Sequence, residues 1–252
     1  MNASLKRWKN SKDNENMTSE VRVGDVPVQP FRSMEEAIAY VLNDGHVISG
    51  SAIAINPEKV MLAKEDQELR TAIERATLRY ADGIGVVRTI RRKGIENIRI
   101  PGCELWQALM HRSARFSTPV MLLGARPEIN EKVVSSLRAL GVNVVYACDG
   151  YSLNENELFK ALRETQPRIV SVAMGSPKQE KLIHRMQEAY PIAFYQGVGG
   201  SFDVYAGVVK RAPNWACRLH IEWLYRLLSQ PRRILRQRNL VKYLLADMRG
   251  KL

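Results

Sequence analysis

Residues 168–200 read RIVSVAMGSPKQEKLIHRMQEAYPIAFYQGVGG, and this stretch decides the fold. Arg168 to Ala173 and Ile192 to Gln196 are short apolar runs bounded by Pro and Gly, as expected of strands buried on both faces. Pro177 to Ala189 lies between them and reads as helical.

The same rhythm extends upstream. Ser51 to Ile55 is a strand stopped by Asn56-Pro57, and Pro57 to Arg75 reads as one helical stretch, with Pro57 suited to a first helical position. Gly83 to Arg92 and Glu104 to Arg115 are further helices. Pro119 to Leu123 and Val142 to Tyr146 are strand-like, and Pro127 to Leu140 and Glu155 to Thr165 are helical. Nearer the N-terminus, Ser33 with Glu36 forms a capping-box signature that opens a short helix through Ala37, Ile38 and Val41. This alternation predicts an α/β fold: a Rossmann-like, mainly parallel sheet covered by helices.

The rhythm stops after Lys210-Arg211-Ala212-Pro213. Two helices separated by Ser229-Gln230-Pro231 are expected to run to the end. The last combines Ile234, Leu235, Val241, Leu244, Leu245 and Met248 with Arg232, Arg236, Arg238 and Lys242, a basic amphipathic pattern. Residues 1–20 are polar and mixed in charge, a flexible leader. The expected organisation is therefore a leader over 1–20, an α/β catalytic domain over 21–206 and a basic helical appendage over 207–252.

At 252 residues, with 45% hydrophobic and 25% charged, the composition is that of a globular protein and excludes disorder over most of the length. No window approaches 18 uninterrupted apolar residues, and the N-terminus lacks the apolar core of a signal peptide, so a cytosolic protein without a membrane span is expected. Cys103, Cys148 and Cys217 make an odd count without a CxxC, which favours reduced thiols. Cys217 and His220 have a ligand-like spacing, but no second pair completes a zinc site, and no metal is expected. The net charge of +12 is uneven: residues 207–252 carry eleven Lys/Arg against Glu222 and Asp247, a local +9. A near-neutral body with a basic tail points to a localised anionic partner: nucleic acid, an anionic membrane surface or a phosphorylated substrate.

Parallel α/β sheets bind ligands beyond the carboxyl ends of their strands, so polar and glycine residues just after the apolar runs are the candidates. Four such edges stand out: Asn56, Asp82-Gly83, Gly175 to Gln179, and Gly197 to Gly200. Each also has a plainer reading. Asp82 and Asn56 suit helix N-caps as well as chemistry, and Lys178 and Gln179 suit a solvated first turn. The glycines suit tight turns as well as close approach to a phosphate. Neither glycine cluster has the G-x-G-x-x-G spacing, and no Walker A, H-E-x-x-H or D-x-D occurs, so a dinucleotide fingerprint and a metal-chelating nucleotide-sugar site are not indicated.

Five segments occur in one order: Tyr80 to Val87, Arg99-Ile100-Pro101-Gly102, Met174 to Glu180, Gln196 to Gly200 and Glu222 to Leu227. In this the chain resembles the WecG/TagA/CpsF glycosyltransferases over roughly residues 22–250, most closely the branch that transfers N-acetylmannosaminuronic acid in enterobacterial common antigen assembly. The resemblance implies an inverting, metal-independent transfer from a UDP-sugar to an N-acetylglucosamine unit on undecaprenyl diphosphate, with no cofactor. It makes Asp82 the base that deprotonates the acceptor hydroxyl. It places Asn56, Arg99 and Gln179 in the pocket, with Gly199 and Gly200 bordering the nucleotide. Many members carry a threonine two residues before the asparagine; Ala54 stands there in this chain. A uronic-acid donor would call for a cation, with Arg88, Arg99 and Lys178 the choices.

The resemblance also gives the tail a reading. It implies docking on an anionic membrane surface, with Arg226, Arg232, Arg233 and Arg236 reaching the lipid diphosphate, and a peripheral location on the inner face of the cytoplasmic membrane. A homo-oligomer is compatible with it, and no nucleic-acid partner is expected. Two rivals remain at this point: a transferase of N-acetylmannosamine or another hexose for teichoic acid, capsule or exopolysaccharide, and a nucleic-acid-binding module motivated by the same basic tail.

Overall fold

A computed structural model of the protein describes residues 20–209 and 237–252. In chain order, Val21–Val23 (β1) and Val26–Val28 (β2) form an antiparallel hairpin. Met34–Val41 (α1) precedes a second small hairpin of Leu42–Asn43 (β3) and His46–Val47 (β4). Then follow Gly50–Ile55 (β5), Pro57–Leu62 (α2), Gln67–Arg75 (α3), Leu78–Ala81 (β6), Ile84–Arg92 (α4) and Gly102–Arg115 (α5). Val120–Gly124 (β7), Pro127–Ala139 (α6), Val144–Cys148 (β8), Glu155–Thr165 (α7), Ile169–Ala173 (β9), Lys178–Ala189 (α8), Phe194–Gly197 (β10) and Ser201–Tyr205 (α9) continue the alternation. Gln237–Met248 (α10) is the last described helix.

Six strands form the central sheet in the order β6-β5-β10-β9-β7-β8, and every neighbouring pair is parallel. The α/β, Rossmann-like architecture read from the alternation is the one observed. The uninterrupted apolar runs have a direct cause. In β7, Val120 and Leu122 enter the core on one face while Met121 and Leu123 enter the core on the other. Both faces are covered, so neither can be polar.

One core gathers Trp106, Leu109, Phe194 and Phe202 under α1, α5, α6 and α9; the opposite one gathers Leu158, Leu162, Leu182 and Met186 from α7 and α8. A third lies at the β5–β6 end, where Ile53 and Ile55 meet Leu69, Ile73, Val86 and Ile90 and the hairpin valines Val23 and Val28.

The capping box at Ser33 is present: its hydroxyl oxygen accepts from the Glu36 amide at 3.0 Å, although the Glu36 carboxylate reaches back to the Arg32 amide rather than to Ser33. The expected single helix over 57–75 is corrected to two. Asp66 caps α3, accepting from the Leu69 amide at 2.9 Å, so the chain turns between α2 and α3 instead of continuing. The strand expected over 142–146 is displaced to Val144–Cys148.

Helix α10 packs against α2 and shares the third core. Tyr243 is fully buried in that core, with its ring against Gly85, where a β-carbon would come within 3.3 Å of it. The Tyr243 hydroxyl shares a 2.8 Å hydrogen bond with Thr89, whose hydroxyl also donates to Asp247 at 2.8 Å, and Asp247 is ion-paired with Arg92. Burial pushes the Tyr243 phenol up to about 12, so it stays protonated at working pH. The four apolar residues Val241, Leu244, Leu245 and Met248 lie on the outward side, 45–81% exposed.

Candidate active site

The carboxyl ends of β6, β5, β10 and β9 are consecutive in the sheet, and because all strands are parallel they open on one edge. These are the four strands after which the sequence places Asp82, Asn56, Gly197–Gly200 and Gly175–Gln179. A reading made strand by strand thus becomes a single rim.

Asn56 is the N-cap of α2: its side-chain oxygen accepts from the Lys59 amide at 2.9 Å, and Pro57 holds the first helical position. Asp82 does not cap α4. Gly83 occupies that position and offers no side chain, so the Asp82 carboxylate is displaced one residue back, onto the rim. The glycine there serves a close approach rather than a special backbone angle. A β-carbon on Gly83 would meet Pro57 Cδ at 2.5 Å, so Gly83 lets the Asn56 and Asp82 turns touch.

Arg99 grips Asp82 at two points. Its Nε donates to the Asp82 carbonyl at 2.6 Å, and its Nη2 lies 3.5 Å from Oδ1. Both side chains are half-buried, 22% and 28% exposed for Arg99 and Asp82, so the pair stands at the boundary of protein and solvent. Of the cations weighed for a donor carboxylate, Arg88 and Lys178 are exposed, and Arg99 is the one beside Asp82.

Gln179 is buried, which corrects the solvated-turn reading. Its Oε1 accepts from the amides of Gly175 at 3.2 Å and Gly199 at 2.9 Å, and its Nε2 donates to Glu180 Oε1 at 3.1 Å. Gly199 has φ +53 and Gly175 φ +77, backbone that glycine adopts at low cost, and a β-carbon on Gly197 would strike Gln179 Nε2 at 2.6 Å. One side chain therefore ties together the turns after β9 and β10. Gly200 is the N-cap of α9.

Glu180 in turn pairs with Lys59 at 2.7 Å, with both side chains nearly inaccessible. Burial alone would raise the Glu180 pKa, but the Lys59 charge and the hydrogen bonds from Lys59 and Gln179 outweigh it and hold the carboxyl below its ordinary value. A carboxylate only accepts, so it dictates that the Gln179 nitrogen faces Glu180 and the oxygen faces the two glycine amides. Neither Lys59 nor Glu180 was singled out from the sequence.

A further feature lies on the rim between β7 and β9. The chain leaving β7 runs outward to β8, whereas the chain leaving β9 runs back to β10, so the connections diverge there, the switch point at which open α/β sheets take their ligands. Gly124, at φ +99, faces the Ala173 backbone so closely that a β-carbon would come within 2.4 Å of its carbonyl oxygen. Buried Asn130 donates to the carbonyls of Gly124 at 2.9 Å and Cys148 at 3.2 Å, fixing this corner. The strand-end glycine was the available signal.

Tyr80 lies on β6 two residues before Asp82, and its hydroxyl is buried without a hydrogen-bond partner. Burial, and then the neighbouring Asp82 charge, push its pKa well above the usual phenol range. The Gln196 amide lies close enough to favour the phenolate slightly, yet no hydrogen bond of acceptable geometry joins the two.

Arg226, Arg232, Arg233 and Arg236, together with Cys217 and His220, lie outside the described residues, as does most of the 1–20 leader. Among the described residues, no helix is long and apolar enough to cross a membrane, and no cluster of three or more His, Cys, Asp or Glu is placed to hold a metal ion.

A parallel sheet whose carboxylate, amide and glycine turns converge along one carboxyl edge is the architecture of a ligand-binding α/β enzyme of the Rossmann-like class. Residues 21–250 match the model of the Glycosyl transferase WecG/TagA/CpsF family, and the chain belongs to that family. It is a glycosyltransferase, and as such takes a sugar donor and an acceptor.

Proposed function

We propose that the protein transfers N-acetylmannosaminuronic acid, with inversion and without a metal, from its UDP-sugar to N-acetylglucosamine on undecaprenyl diphosphate, the lipid-linked intermediate of enterobacterial common antigen. The observation that carries this reading is the Asp82–Arg99 pair on the rim, with Asp82 released from helix capping by Gly83. Asp82 takes the proton of the acceptor hydroxyl as that oxygen attacks the anomeric carbon, and UDP leaves from the opposite face. Arg99 holds Asp82 by its backbone as well as its carboxylate, and so fixes the base without needing a full-strength ion pair.

The leaving diphosphate gathers negative charge as the glycosidic bond breaks. The switch point between β7 and β9 is the place the topology offers for the nucleotide, with Gly199 and Gly200 on its β10 side and Gln179 setting the shape of the turns after β9 and β10. Asn56 closes the opposite end of the rim beside Asp82. A donor carboxylate would meet Arg99, and the choice of sugar is tested directly: with UDP-N-acetylmannosaminuronic acid and UDP-N-acetylmannosamine compared at equal concentration, the uronic donor should give the higher kcat/KM. A preference for the neutral donor supports the second reading, a hexosyltransferase of another surface polymer.

For the tail, we propose contact with the inner face of the cytoplasmic membrane, with Arg226, Arg232, Arg233 and Arg236 directed to the lipid diphosphate. The outward stripe of Val241, Leu244, Leu245 and Met248 supports this over nucleic-acid binding, because a phosphate backbone offers it nothing to bury. Near an anionic leaflet each basic residue adds about 1 kcal/mol. Replacing these four apolar residues by serine should leave the melting transition within a few degrees, since the core contact is through Tyr243, and should abolish sedimentation with anionic vesicles. Unchanged sedimentation would assign the membrane contact to another surface.

A further inference from the structure

Asp82 stands on a pliable stretch of the rim. Gly83 follows it directly and Gly85 comes two residues later, so two of the next three positions carry no side chain to restrict the backbone. The first turn of α4 has no side-chain cap either. Arg99 holds the Asp82 carbonyl, but the direction in which the chain leaves Asp82 has to be set by what packs on α4.

That packing comes from the far end of the chain. The rings of Pro57 and Tyr243 both close on the side of Gly85 where a side chain would project: a β-carbon there would lie 3.1 Å from Pro57 Cγ and 3.3 Å from Tyr243 Cε1. Glycine is a poor helix former, and this close packing is the reason for it here. Gly83 and Gly85 together bring the first turn of α4 onto that of α2, which begins directly after Asn56, and Tyr243 closes the contact.

The placement of α10 fits this task. Tyr243 meets Gly85 and Thr89, whereas Asp247, one turn further on, meets Thr89 and Arg92. The two helices therefore run side by side in one direction, with Tyr243 toward the end of α4 that starts at the rim. Among the described side chains of α10, Tyr243 alone is buried, while Leu244 and Leu245 face outward. Its hydroxyl is tied to Thr89 at 2.8 Å, which fixes the ring on Gly85.

We propose that Tyr243 is a positioning residue of the active site: its ring, pressed on Gly85, holds the first turn of α4 against that of α2 and so sets where the Asp82 carboxylate stands relative to Asn56. The inference rests on the reading of Asp82 as the base. It gives α10 an inward role that needs no membrane.

The test uses the full chain, a detergent-dispersed acceptor without vesicles, and a temperature well below every melting transition. Acceptor-dependent UDP release, UDP-sugar binding by titration and thermal unfolding are read for Tyr243→Leu, Tyr243→Phe and Asp247→Ala. Tyr243→Leu keeps an apolar group in the core but loses the flat ring, and should lower kcat at least roughly tenfold with donor affinity unchanged, the effect of a misplaced catalytic group. Tyr243→Phe keeps the ring and should restore kcat to within roughly threefold of wild type, since only one hydrogen bond is lost. Asp247→Ala loosens the same helix away from the rim, and should lower the melting temperature while leaving kcat unchanged. If Tyr243→Leu melts below the assay temperature, Tyr243→Met, whose flexible chain refills the core, gives the same reading.

A folded Tyr243→Leu with normal kcat would overturn the proposal. So would a Tyr243→Phe as slow as Tyr243→Leu, or an Asp247→Ala whose kcat falls in step with its stability, because turnover would then follow the docking of α10 in general rather than the ring on Gly85. Asp82→Asn, measured alongside, reports the base independently: an inert Asp82→Asn with a fully active Tyr243→Leu removes the brace and keeps the base, whereas an active Asp82→Asn removes the base itself.

Discussion

Asp82→Asn should reduce turnover by about 100-fold or more while UDP-sugar binding persists, the size expected when a positioned general base is lost. The substitution is close to a pure chemical probe. Asparagine has the same shape, and the shorter of the two Arg99 contacts goes to the Asp82 backbone carbonyl at 2.6 Å, which any residue retains. The Arg99 side-chain contact that weakens is the 3.5 Å approach to a half-buried carboxylate, a pair of the kind that contributes at most about 1 kcal/mol. Folding should therefore change little, and the loss should fall on kcat. Steady-state UDP release, with donor affinity measured separately by titration, checks this. Near-normal turnover would leave Asp82 as a structural partner of Arg99 and send the search for a base elsewhere.

The second large effect is on stability. Lys59→Met should destabilise the fold by about 3–5 kcal/mol in urea unfolding, because it strands the Glu180 carboxylate in the interior without its cation. Lys59→Met combined with Glu180→Leu should recover most of that loss, since an apolar pair carries no desolvation cost. The dependence on pH has a definite sign. In the wild type the Glu180 pKa is held down, so the pair's contribution is present above the ordinary carboxylate range and is lost as pH falls through the lowered folded-state value. In Lys59→Met, burial, the largest influence, is opposed only by the Gln179 and backbone hydrogen bonds and lifts that pKa, so the folded state binds a proton more readily than the unfolded one. The deficit relative to wild type should then shrink as pH falls from neutrality towards the carboxylate range. A deficit independent of pH would mean that Lys59 stabilises through its packed alkyl stem alone.

This pair also shows why part of the site was hidden in the sequence. Lys59 and Glu180 look like ordinary charges in the first turns of two helices, and nothing along the chain says that those turns meet. The meeting depends on strand order. Apolar runs alternating with helices announce a parallel sheet, because only strands covered on both faces are apolar throughout. They do not say that β10 and β9 insert between β5 and β7, which is what sets the turns after β5, β10 and β9 side by side. Asn56, Asp82, Gln179 and the Gly199-Gly200 turn were legible because each follows an apolar run directly. Tyr80 was not, since a tyrosine within such a run reads as core, and the Asp82 charge beside its buried hydroxyl emerges only from the fold. The break between α2 and α3 was masked by unbroken helical spacing, although Asp66 was present as a cap signal. Helix α10 displays its most apolar stripe outward and buries Tyr243 in the body beside the polar Asp247 contacts, so its docking leaves little periodic trace.

We propose that this rim moves a sugar from UDP to a lipid-diphosphate acceptor. The most direct measurement is UDP release by the full chain from UDP-N-acetylmannosaminuronic acid in EDTA, with and without an undecaprenyl-diphosphate N-acetylglucosamine acceptor. Release should depend on the acceptor, survive the chelator and disappear in Asp82→Asn. Folded protein that releases no UDP when the acceptor is present, or releases it equally well without acceptor, would contradict it.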